Sequence, residues 1–119
     1  MSYDLVVWDG PAPADDAGAA AEYGRLYMKY IELSAVRPPW PTITEYVQAL
    51  LRRWPDLGAH DLGETSPWAS SGLMSNASGP LLYFGMGRDM AGTVVSGAVA
   101  EARLRNLVVY DPQERRVRS

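Results

Sequence analysis

Three short apolar runs, Leu5-Val6-Val7-Trp8, Leu81-Leu82-Tyr83-Phe84 and Leu107-Val108-Val109-Tyr110, stand far apart in the chain. They are rich in β-branched and aromatic residues. Asp9-Gly10-Pro11 stops the first and Asp111-Pro112 the third, as turn formers stop strands. They read as strands buried on at least one face, the first two internal. Strands so distant in sequence can share a sheet only through crossovers, so the intervening segments decide the fold.

The first interval begins with a loop, Pro11-Ala12-Pro13-Ala14-Asp15-Asp16, that ends in two good helix caps. A helix is expected from about Ala20 to Ser34. Tyr23, Leu26, Tyr27, Tyr30, Leu33 and Ser34 fall on one side, and Arg25, Lys29 and Glu32 on the other. The tyrosine stripe reads as core packing with hydroxyls at the rim. Val36-Arg37-Pro38-Pro39-Trp40-Pro41 is a rigid extended connector. Thr42-Ile43-Thr44-Glu45 has capping-box form with Thr42 as cap. Ile43, Val47, Leu50, Leu51 and Trp54 then continue an amphipathic helix that Pro55 ends.

Residues 55 to 80 are irregular, punctuated by glycine and proline, and predict either a short edge strand around 66 to 71 or a functional loop. Asp89 is placed to cap a third helix reaching about Asn106. Its small residues Ala91, Gly92, Ser96, Gly97 and Ala98 are expected to allow close approach to the sheet. A last short strand is expected near Val117.

The resulting order, β-α-α-(β)-β-α-β, predicts one α+β domain spanning residues 1–119. It would have a mixed or antiparallel sheet of four to five strands and three helices, related to the ferredoxin-like pattern, with the helices on one face.

Charge narrows the function. The chain carries a formal −3, distributed unevenly: residues 1 to 34 hold six acids against Arg25 and Lys29, whereas residues 69 to 119 hold six arginines against four acids. Nucleic-acid binding is disfavoured because phosphate neutralisation needs a net basic surface. No apolar run reaches the length of a membrane span, and the acidic start MSYDLVVWDG lacks the basic region of a secretory signal, so a cytoplasmic location is expected. With no cysteine, thiolate chemistry is excluded. Arginine supplies ten of the eleven basic residues, a bias that fits a GC-rich bacterial gene.

Chemical motifs are sparse. Gly85-Met86-Gly87 precedes a helix, but Met90 occupies the third glycine position of a dinucleotide fingerprint and Asp89 puts a carboxylate where a phosphate would sit. It reads instead as a turn in which Gly85 or Gly87 adopts positive φ. Asp111, closing the next strand, is the acid such a fingerprint would use. His60 is the sole histidine. With Asp61 and nearby serines it can form a triad on paper, but no nucleophile elbow accompanies it. No catalytic, cofactor-binding or metal-ligating residue is assigned and no cofactor is expected. More suggestive are Trp40 and Trp68, standing in proline-bounded segments with acids Asp56, Asp61 and Glu64 nearby. Aromatic anchors beside acids suit a protein-binding surface as well as they suit buried loop anchors.

The opening Met-Ser-Tyr-Asp-Leu-Val-Val-Trp strand, the later Pro-Trp and the Gly-Pro-Leu-Leu-Tyr-Phe strand resemble a loose group of small bacterial single-domain proteins. The outline is also similar to that of immunity proteins encoded beside secreted bacterial toxins. That resemblance implies a cytoplasmic, acidic, non-catalytic inhibitor covering a basic toxin's active site. No functional residue carries over from that resemblance; the aromatic and acidic residues read above set the expected partner-binding surface, Trp40, Asp56, His60, Asp61, Glu64 and Trp68. The alternative is a small-ligand-binding protein or small enzyme with a pocket near the 55–80 loop, and a homodimer paired through an edge strand is a third option.

Overall fold

The structure, a computed structural model, describes residues 2–32, 37–54, 67–68 and 72–118. The expected apolar runs form the middle of an antiparallel sheet built from β1 (Ser2–Trp8), β2 (Ala77–Ser78), β3 (Leu81–Gly87), β4 (Val108–Asp111) and β5 (Arg116–Arg118), in the order β2-β3-β1-β4-β5. Among the described residues three α-helices accompany it: α1 (Asp16–Tyr27), continued by a π-helical turn Met28–Glu32, α2 (Pro41–Arg53) and α3 (Ala91–Leu104). The α+β class and element order are as the sequence predicts.

β1 is central because it pairs on both edges. It meets β3 along its whole length, from Ser2 opposite Gly87 to Trp8 opposite Leu81, and meets β4 through Val6, Val7 and Trp8. Of the edge strand expected around 66 to 71, only 67 and 68 lie among the described residues. Trp68 bridges Met86 in antiparallel fashion, and Gly87 donates its N–H to the Pro67 carbonyl at 2.8 Å.

The helices do not share one face. Val6, Trp8, Leu81, Val108 and Tyr110 pack with Ala19, Leu26 and Tyr30 from α1 and the π-helical turn, whereas Leu5, Val7, Leu82, Phe84, Met86 and Val109 pack beneath α2 and α3. Covering both faces explains why Leu5 to Trp8 are all buried and uniformly apolar. The chain changes face along residues 37–40. There the Gly79 N–H donates to the Arg37 carbonyl, and the Trp40 N–H donates to the Gly79 carbonyl at 2.9 Å. Gly79 has φ +56, and a Cβ there would fall 2.7 Å from the Tyr30 ring, so glycine is required on both counts.

Three local expectations are corrected. The second helix starts at Pro41 with Trp40 at its cap, and Thr42, inside the first turn, donates its hydroxyl to Asp9 at 2.7 Å instead of capping. Proline suits that first position because its missing N–H would lack a helical partner anyway. Gly85-Met86-Gly87 is strand rather than turn, since β3 runs through it, and neither glycine has positive φ. Asp89 does not cap α3, whose cap is Met90 without a side-chain bond. Gly85 is small for another reason: a Cβ there would lie 2.6 Å from an Asp4 carboxylate oxygen on the neighbouring strand. Gly97 likewise serves helix packing more than sheet packing, because Trp54 covers it.

Candidate functional site

Of the two candidates among the described residues, Trp40 is the accessible one, 46% exposed. Its backbone is held on both sides. The N–H is bonded to Gly79, and the carbonyl accepts the Thr44 N–H at 2.9 Å as α2 begins. Pro39 and Pro41 restrict its neighbours further. Two more contacts secure the connector: the Arg37 N–H donates to Ser78 Oγ at 3.0 Å, and Thr42 to Asp9 at the end of β1. An apolar ring is thus presented by backbone that has little conformational freedom left to lose.

Trp68 takes the other reading of a proline-bounded tryptophan. It is 3% exposed, stands edge-on to Trp54 and Phe84, and donates its indole N–H to the Trp54 carbonyl at 3.1 Å. It is a core residue and does not share a surface with Trp40. Asp56, His60, Asp61 and Glu64 lie outside the described residues.

Periodicity gave no hint of a polar cluster where β1, β4 and β5 meet. Asp111 is fully buried; it accepts the Tyr3 hydroxyl and a two-pronged contact from Arg118 at 2.8 and 3.0 Å. Gln113 and Glu114 donate their backbone N–H groups to its second oxygen. Burial pushes the Asp111 carboxyl up, but these hydrogen bonds outweigh it and hold the pKa at about 2. Burial and the Asp111 bond raise the Tyr3 phenol. The Gln113 side chain also acts as a short stand-in strand beside Asp4, accepting its N–H at 2.6 Å and donating to its carbonyl at 2.7 Å. With both carboxylate oxygens of Asp111 engaged inside the protein, it cannot hold a ribose as the fingerprint acid would. The cluster ties the C-terminal hairpin to the start of β1.

On the other face, Asp4 accepts hydroxyls from Ser2 at 2.8 Å and Tyr83 at 3.0 Å, and burial raises the Tyr83 phenol well above its ordinary value. Tyr23, Tyr27, Tyr83 and Tyr110 pack ring to ring there, as the stripe predicted. Among the described residues, no group of three His, Asp or Glu side chains is placed to hold a metal ion. No helix among them is long and apolar enough to cross a membrane.

Comparison with models of protein families, with curated proteins and with solved structures yields no match to this chain.

Proposed function

We propose that this protein is a non-catalytic binding module of the immunity type, a cytoplasmic inhibitor that docks on a basic toxin through a surface centred on Trp40. The observation that carries the reading is the exposed indole on a backbone fixed by two hydrogen bonds and flanking prolines. Affinity in protein interfaces concentrates in a few aromatic and arginine anchors. Pre-ordering such an anchor lowers the entropy lost on association. The net charge of −3, with six acids in the first 34 residues, supplies the complementarity that speeds encounter with a basic partner.

The test is co-expression with the toxin encoded by a neighbouring gene. The expected result is survival of the toxin-expressing cells and recovery of a stable complex. Cell death together with failure to co-purify would overturn the proposal.

A further inference from the structure

A cleft of about 450 Å3 opens beside β4 and β5, between the end of α3 and the loop after β1. Its volume falls within the range of small-molecule sites. Val99, Leu107, Val109 and Val117 supply apolar wall, and Arg103 and Asn106 stand at its rim. The rim is rigid because α3 ends in a Schellman motif. The Leu107 N–H returns to the Ala102 carbonyl at 3.0 Å and the Asn106 N–H to that of Arg103 at 3.2 Å, with Asn106 at φ 56.

Two donors here have no protein partner among the described residues. Arg103 is exposed and has no ion pair or hydrogen bond among the described residues, whereas Arg118, which also reaches the cleft, is neutralised by Asp111. The Trp8 indole N–H is buried without a partner among the described residues, and its Cδ1 edge lies against Gly10 in the cleft wall. One free guanidinium matches one planar carboxylate, since its fork bonds both oxygens. The valine and leucine walls match an unbranched hydrocarbon body.

We infer that this cleft binds a medium-chain monocarboxylate, its head group at Arg103 and its chain along Val99, Leu107 and Val109. The site is separate from the Trp40 surface, so it stands or falls independently of the immunity reading.

The test is titration of the intact 15N-labelled chain with octanoate, octylamine and acetate below any micellar threshold. Octanoate is expected to shift the amides of Leu107, Val108 and Val109 and the Trp8 indole N–H in a saturable manner, with neither octylamine nor acetate doing so. Arg103→Met keeps the apolar stem and is expected to weaken octanoate about tenfold. Arg116→Met is expected to leave it unchanged. The inference is overturned if octanoate gives no saturable shift, if octylamine binds as well, or if Arg103→Met binds octanoate like the wild type.

Discussion

The Trp54 ring lies directly over Gly97, so that a methyl group there would come within 2.5 Å of Cη2. Around this contact α2 and α3 are further joined by Tyr46, whose hydroxyl donates to the Ala98 carbonyl at 2.9 Å, and by the ion pair of Arg53 with Glu101. Gly97→Ala must push an aromatic ring out of a packed site, so a loss of roughly 1–3 kcal/mol is expected. Gly92 sits in the same helix with nothing within 4 Å of an added Cβ. There Gly92→Ala is expected to gain roughly 0.5–1 kcal/mol through helix propensity. Urea unfolding of the two variants checks the pair, and equal shifts would contradict the packing assigned to Trp54.

The Asp111 cluster predicts a pH dependence. Its folded pKa of about 2 lies below the ordinary 3.8, so its stabilisation is present above the unfolded value and is lost as pH falls towards 2. The shift corresponds to roughly 2 kcal/mol. Asp111→Asn is expected to flatten stability between about pH 4 and pH 2 and, by leaving Arg118 with only Glu114 at 3.5 Å and the Tyr3 hydroxyl, to cost roughly 1–3 kcal/mol at neutral pH. Some slope should persist from Glu22, lowered by its hydrogen bond from Arg25, and from Glu101, where burial is outweighed by hydrogen bonds from Arg105 and Arg53. Urea midpoints across that pH range decide it. A profile in the variant as steep as in the wild type would place the titration elsewhere.

Asn106 occupies the left-handed position that ends α3, with φ 56. Asn106→Gly is expected to be neutral or slightly stabilising, and Asn106→Ala to cost about 1 kcal/mol, because only the alanine meets the full steric penalty of that conformation. Thermal unfolding of both variants checks the order.

Strands β1, β3 and β4 were legible because sheet burial on both sides demands unbroken apolar runs, and α2 because Ile43, Val47 and Leu50 repeat at helical spacing. Which side of the sheet each helix covers was not legible. Periodicity in α1 shows that one face is apolar but not which strand residues it meets, and α1 turned out to cover Val6 and Trp8 while α2 and α3 cover Leu5 and Val7. Gly85-Met86-Gly87 was misread because its strand character depends on remote partners, Pro67 for one edge and Ser2 to Asp4 for the other. The Tyr3–Asp111 contact joins residues 108 positions apart. Its only local trace was an acid at the end of an apolar strand. Sequence marked both Trp40 and Trp68, but two tryptophans in proline-bounded segments look alike until packing separates them.

That separation is testable. Trp68→Ala, which would leave a cavity between Trp54 and Phe84, is expected to cost roughly 3–5 kcal/mol. Trp40→Ala is expected to stay within about 0.5 kcal/mol of the wild type, as surface changes generally do. Denaturant midpoints compare the two, and a large loss in the Trp40 variant would assign that ring to the core.

The most direct measurement of the proposed docking role is the affinity of wild type and Trp40→Ala for the proposed partner, the toxin encoded by a neighbouring gene, by titration calorimetry, with unfolding followed on the same samples. The anchor role predicts a loss of at least about 2 kcal/mol in binding, roughly thirtyfold in dissociation constant, at unchanged stability. A folded Trp40→Ala protein that binds the toxin as tightly as the wild type would contradict it.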